Sequence, residues 1–303
     1  MKNITGLFLL LILLACNQPS DKSKANDKSA KDQNIIAGKV EQLANGFGFT
    51  EGPAADSLGH VYFTDIPNDQ ILIWRTENKL DTFRLKSGNA NGLYFDDQGK
   101  LLVCEGGKGR IAAYSPDGNY QVLVSSYQSN RFNQPNDLWP DKRGGIYFTD
   151  PKYAGENPEL DQDGEHVYYI QPDRSNVIRV EDELKKPNGI LGTPNGKKLY
   201  ITDTSLEKTF VYNIKSNGNL SNKELLIDKG SDGMTLDKNG NLYLTTVGNS
   251  HVDVYSPKGQ LLTSIEVPEV PSNVCFGGKD RSQLYITART SIYRIDTNVQ
   301  GVD

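Results

Sequence analysis

Histidine, cysteine, tryptophan and methionine are all scarce in this 303-residue chain, at three, three, two and two copies. The three histidines, His60, His166 and His251, are scattered, and no two cysteines lie close together. A tetrahedral zinc site built from nitrogen and sulfur therefore lacks its ligands. The same scarcity leaves no evident Ser-His-Asp set, and no Gly-x-Ser-x-Gly elbow occurs, so covalent catalysis through an activated serine is unsupported. Basic residues are not in excess, because the formal net charge is -5. Binding to a phosphate backbone needs clustered cations, which excludes nucleic acid as a partner. Long amphipathic helical periods are absent, and no apolar run reaches the roughly 20 residues that cross a bilayer as a helix.

What is present begins with an export signal over residues 1–15. Lys2 supplies the positive start, Ile4 to Ala15 are largely apolar, and Leu13-Leu14-Ala15-Cys16 has the form of a bacterial lipoprotein processing site. Lipidation at Cys16 is the expectation, which confines membrane contact to an N-terminal anchor and places the chain in a bacterial cell envelope, facing periplasm or exterior. Residues 16–34 are rich in Ser, Lys, Asp, Asn and Gln, too polar to offset their ordering entropy, and read as a disordered tether.

Beyond the tether, short runs of Val, Ile, Leu, Tyr and Phe are bounded by Gly, Asp, Asn and Pro, the pattern of strands and turns. Six segments share the order turn, strand, Asp-x-x-Gly-like turn, strand, and they begin at Glu51, Asn91, Asn136, Asn188, Asp232 and Asn273. Spacings of roughly 40–50 residues match a four-stranded propeller blade, so residues 35–303 read as one all-β, six-bladed β-propeller with four-stranded blades. The last repeat has room for three strands only, ending with Ser291 to Asp296. An N-terminal strand around Ile36 to Ala44 is expected to close that blade and protect its edge. Cys104 and Cys275 then fall in non-neighbouring blades and are expected as buried free thiols.

In a propeller the inner strands line the axial tunnel, so the six repeat-initial residues form a ring at one mouth. All can offer a side-chain oxygen, and two are carboxylates, which suits calcium or magnesium better than zinc. Asn-Gly and Asp-Gly are also ordinary turn pairs, so each copy alone has a plain structural reading. Glu51 does not, since glutamate has no such preference. Asp65, Asp150 and Asp203 end second strands near the same mouth and are expected to cap backbone. The longest repeat carries its excess between Pro151 and Glu165, expected as a loop over the site. His166 and His251 each precede a third strand and are candidate bases, and Trp74 and Trp139 read as strand packing.

With Glu51-Gly-Pro, Gln134-Pro-Asn136-Asp137, Tyr147-Phe-Thr-Asp-Pro151, Lys186-Pro-Asn188-Gly189 and Ser231-Asp232-Gly233-Met234 in place, the chain resembles the senescence-marker-protein, gluconolactonase and luciferin-regenerating-enzyme family from about Gly46 to Ala288. The resemblance implies one divalent cation, calcium first and magnesium or zinc as alternatives, held by Glu51, Asn188 and Asp232 with Asn136 as a further ligand or substrate contact. It also implies Asp232 as the catalytic base. Some members hold substrate with an arginine where this chain has Gln134, and Arg131 lies near enough in sequence to substitute; Asn91 completes the substrate-facing set.

The implied activity is metal-dependent hydrolysis of a lactone, a sugar lactone such as gluconolactone favoured, with water as nucleophile. The competing readings are a non-catalytic ligand- or protein-binding propeller and a metal-dependent hydrolase of another ester or a phosphotriester, because fold alone does not establish chemistry.

Overall fold

A computed structural model describes residues 34–153 and 159–302. The expected export signal, Cys16 and the expected tether lie outside the described residues, save for Asn34. No helix among the described residues is long and apolar enough to cross a membrane.

Six four-stranded antiparallel sheets follow one another along the chain. Blade one shows the plan. Its strands Thr50–Ala55, Val61–Asp65, Gln70–Arg75 and Lys79–Leu85 pair in sequence order, from a buried inner strand to a largely exposed outer one. Blades two to five repeat it, with inner strands Ala90–Phe95, Leu138–Pro140, Pro187–Gly192 and Met234–Leu236. Blade six supplies Pro271–Gly277, Gln283–Ala288 and Ser291–Asp296 from the C-terminal end, and Glu41–Asn45 adds the outer strand.

The closing strand starts a little later than the sequence predicts. Ile36 makes only an isolated bridge to Thr297, and the regular pairing begins at Glu41, whose carboxylate meets Arg294 at 2.7 Å. Ile35 is nevertheless buried in the same apolar cluster as Ile265, Ile286 and Ile295, so the stretch before the strand is also docked.

The core lies between neighbouring blades, where the two faces of adjacent sheets meet. Between blades two and three, Leu102, Ile111, Leu138, Phe148 and Tyr168 interlock with Phe132. Trp139 stacks on Tyr147, and Trp74 packs with Val61 and Tyr285, as expected of strand residues. Cys104 and Cys275 are buried and free.

Hydroxyls tie each blade to the next near the axis. The Thr64, Thr149 and Thr202 hydroxyls donate to the carbonyls of Asn91, Asn188 and Ser231 at 3.1, 2.7 and 2.7 Å. Thr245 donates to the Ser272 carbonyl at 3.1 Å, and the Ser272 hydroxyl reaches the Thr50 carbonyl at 2.6 Å. Each acceptor is a repeat-initial residue or the one before it, so the ties fix where the mouth residues sit. At about 1 kcal/mol net apiece, such bonds position more than they stabilise.

Candidate functional site

The second-strand aspartates set the approach to the mouth. Asp65 Oδ1 accepts the backbone N–H groups of Gly48 and Phe49 at 3.0 and 3.1 Å. Asp150 Oδ2 accepts that of Asn133 at 2.9 Å, and Asp203 Oδ2 those of Lys185 and Lys186 at 2.6 and 3.2 Å. These segments run directly into Glu51, Asn136 and Asn188. The capping role is as expected, and it serves the three blades that bring those residues to the axis.

Glu51, Asn136, Asn188 and Asn273 are buried at the mouth, and Asp232 is half-buried by surface. Asn188 Nδ2 donates to Asp232 Oδ1 at 2.6 Å and also to the Tyr153 hydroxyl oxygen. Glu51 Oε2 accepts the Gly52 N–H at 2.8 Å. Burial first, then the nearby charge of Asp232, hold the Glu51 carboxyl well above its ordinary range. Burial also pushes Asp232 up to about 6, against the hydrogen bond from Asn188 and the charge of Arg289. Glu51, Asn188 and Asp232, from blades one, four and five, therefore share one buried polar patch.

Asp137 joins them unforeseen. It is buried, its Oδ1 accepts the Leu138 N–H at 2.9 Å and its Oδ2 the Ile190 N–H at 3.3 Å, and burial raises it to about 7. Its charge is felt at Glu51. A signal for it does exist in the sequence. The second position of the repeat is glycine at 52, 92, 189 and 233 because inner strands crowd the axis there; a Cβ at Gly92 would lie 2.5 Å from the Asn136 carbonyl oxygen. A carboxylate at that position is out of pattern. Tyr153, outside the repeat, left no such mark.

Other expected residues go elsewhere. The Arg131 guanidinium donates to the carbonyls of Phe132 and Asn133 at 2.7 and 2.8 Å and pairs with Asp161 at 3.0 Å, stapling the segment after the hairpin Ser126–Tyr127 and Asn130–Arg131. Gln134 Oε1 accepts the Tyr153 N–H at 2.6 Å, so it anchors Tyr153. Asn91 is half-buried at its ring position, and its carbonyl takes the Thr64 bond. His166 turns its Nε2 to Asp163 at 3.1 Å, and His251 its Nε2 to Asp253 at 3.5 Å; neither shares a hydrogen bond with a ring residue. Of the 151–165 loop, residues 154–158 lie outside the described residues, while Lys152 and Arg131 both hold Asp161.

A cavity of about 1160 Å³ fills the axis from the opposite face, lined by the first-to-second strand turns and reaching up to Asp137 and Asn273. Glu51, Asn188 and Asp232 do not line it, so it is not the chemical site. Among the described residues no group of three or more His, Cys, Asp and Glu side chains is arranged to hold a metal ion. The mouth set mixes two carboxylates with amide oxygens instead. Two like-charged carboxylates buried side by side are costly when ionised, and an all-oxygen shell suits a hard divalent cation, so the residues present fit one.

Residues 49–290 match the SMP-30/Gluconolactonase/LRE-like region. A gluconolactonase of Zymomonas mobilis is 30% identical over 302 aligned residues, covering 88% of this chain and 83% of that protein. The structure of a gluconolactonase from Xanthomonas campestris superposes with a TM-score of 0.81 at 26% identity, covering 87% of this chain and 91% of the other. A calcium-binding protein, regucalcin, from Agrobacterium tumefaciens shares the fold, with a TM-score of 0.73 at 20% identity over 88% of this chain and 95% of its own.

Proposed function

The chain belongs to the SMP-30/gluconolactonase/LRE-like family, and from that premise we propose that it hydrolyses a lactone, a sugar lactone foremost, by attack of water at the mouth where Glu51, Asn188 and Asp232 meet. The observation that carries the reading is that meeting itself: two carboxylates and a carboxamide from three separate blades share one buried patch.

Glu51, Asn136, Asn188 and Asp232 would hold one divalent cation, calcium favoured for its hard oxygen ligands. When bound, such a cation supplies Lewis acidity toward the lactone carbonyl. The chain's own side chains do the rest. Asn188 fixes Asp232 by bonding to its Oδ1. Asp232 takes the proton of the attacking water on its other oxygen as the water oxygen bonds to the carbonyl carbon. The ring C–O bond then breaks as Asp232 returns that proton to the departing ring oxygen, and the product is an open hydroxy acid. Export and acylation at Cys16 complete the proposal, placing this chemistry on the envelope side of a membrane.

The test is a pH-stat screen of sugar and aliphatic lactones, simple esters and phosphotriesters, with chelator and after calcium is restored. Calcium-dependent turnover of a lactone is the expected result, with loss of roughly 100-fold or more in kcat/KM in Asp232→Ala. Turnover confined to phosphotriesters would move the function to that class. No turnover of any compound, with a partner protein captured instead, would make the propeller a binding platform.

A further inference from the structure

Asp65, Asp150 and Asp203 close the second strands of blades one, three and four, but the strand Gln283–Ala288 of blade six ends without a carboxylate and is followed by Arg289. Blade six stands in the ring between blade five, which begins with Asp232, and blade one, which begins with Glu51. The loop that carries Arg289 is fastened to the segment entering Glu51: the Arg289 carbonyl accepts the Thr50 N–H at 2.8 Å, and the Thr290 carbonyl accepts that of Phe47 at 3.1 Å. Arg289 itself has a φ of 45°, in the left-handed region that asparagine and aspartate enter far more readily than arginine.

The Arg289 guanidinium lies over the Phe49 ring, 5.7 Å from its centroid, and Phe49 is pinned by its N–H to Asp65 Oδ1 at 3.1 Å. Stacking of this kind steadies the cation and leaves its planar N–H edge open. Every other arginine among the described residues gives a guanidinium N–H to a carboxylate, a carbonyl or a phenol oxygen. Arg289 gives none among the described residues, although it is near enough for Asp232 to feel its charge. The carboxylate tied to its loop, Glu269, is already taken by the Thr290 N–H and hydroxyl at 2.9 and 3.0 Å and by the hydroxyls of Ser291 and Tyr293. An exposed arginine by itself is merely hydrated; this one is stacked, unspent and set at the rim of the site.

We propose that Arg289 determines the specificity of this mouth by donating its N–H fork to a carboxylate or phosphate on the substrate, which makes the preferred lactone an acidic one. The inference rests on the lactonase reading above and adds to it the charge of the substrate. A planar fork of parallel N–H donors matches two oxygens of one oxyanion, a match that a neutral hydroxyl cannot make. In a six-membered sugar lactone the exocyclic carbon lies across the ring oxygen from the carbonyl, so a carbonyl held at Asp232 leaves that carbon free to turn toward blade six. A carboxylate at that carbon is the oxidised end of a sugar diacid, and a phosphate there is an ester of the terminal hydroxyl.

The experiment compares three lactones of one ring, gluconolactone, its carboxylate counterpart glucarolactone and 6-phosphogluconolactone, on the full chain loaded with calcium. Wild type is expected to favour at least one acidic lactone by roughly tenfold or more in kcat/KM, carried mainly by KM. Arg289→Asn, whose side chain suits the left-handed backbone, is expected to lose most of that preference. A preference for the carboxylate or for the phosphate supports the assignment and says which oxyanion the fork takes. Turnover with no acidic preference, or a preference that Arg289→Asn leaves intact, overturns the assignment and leaves the lactonase reading standing. If no lactone is turned over, that reading falls, and calorimetry with methyl glucuronoside and methyl glucoside 6-phosphate against methyl glucoside decides on Arg289 alone. Tighter binding of an acid that is lost in Arg289→Asn keeps the arginine as an oxyanion contact, and equal binding removes it as well.

Discussion

Glu51 and Asp232 are buried within reach of each other's charge, and each holds its proton more tightly than an exposed carboxyl does. The sign of the consequence is fixed. Asp232 rises to about 6, so below that pH it carries a proton that a cation must displace, and above it the carboxylate is ready. Calcium affinity should therefore fall as pH drops through about 6. Calorimetry in buffers of different ionisation heat should detect protons released at pH 6 and far fewer at pH 8. Identical heats across buffers at pH 6 would show that Asp232 ionises in its ordinary range. At this scale the sequence spoke unevenly. Glu51 stood out because no turn asks for glutamate, and the ring partners followed from symmetry. Asp137 sits in a segment that carries the family resemblance, and its mark as a site residue is subtler: it breaks a glycine pattern imposed by crowding at the axis. The bonds of Arg131 to the carbonyls of Phe132 and Asn133 were not legible, because sequence proximity cannot show where a guanidinium points.

Among the elements, blade three carries the most buried polar work. Asp150 is fully enclosed, and its Oδ1 has no hydrogen-bond partner while its Oδ2 holds the Asn133 N–H. Burial raises it to about 8 from an ordinary 3.8, against the backbone bonds it accepts. A carboxyl whose folded value is raised favours the fold fully below its unfolded value, near 4, and loses that contribution as pH climbs through about 8. Asp150→Asn, of the same shape and without the charge, should remove this slope. The Tm of wild type minus that of the variant should decline from pH 4 to pH 8, and a difference constant over that range would show that the carboxyl ionises normally. The capping role of Asp65, Asp150 and Asp203 was legible, because each ends a second strand at the mouth. The strands themselves were legible from alternation and turns, to within a residue or two. Tyr153 was not, since it belongs to the irregular segment that distinguishes blade three from its neighbours, and period analysis sees only what repeats.

For the whole molecule, the period alone was enough: six copies at near-constant spacing leave little room for another architecture. The closure was also readable, from a last repeat one strand short. Its strand comes from the opposite end of the chain and pairs Glu41–Asn45 with Ser291–Asp296. Removing residues 35–45 would bare the edge of blade six and uncover the cluster around Ile35. A shortened protein should melt at least ~10 °C lower, in one transition if the ring is cooperative. An unchanged Tm would mean that the strand is ornamental.

One position in the circuit of hydroxyl ties is filled differently. Where blades one, three, four and five carry Thr64, Thr149, Thr202 and Thr245, blade two carries Cys104. A thiol is a weak donor, and the backbone bond from Gly92 to the Asn136 carbonyl, at 2.7 Å, remains to hold that joint. In a hoop with one loosely latched joint, spreading concentrates at the latch. The joint between Asn91 and Asn136 is therefore the one where the first separation is expected under strain, since it is latched by the backbone alone.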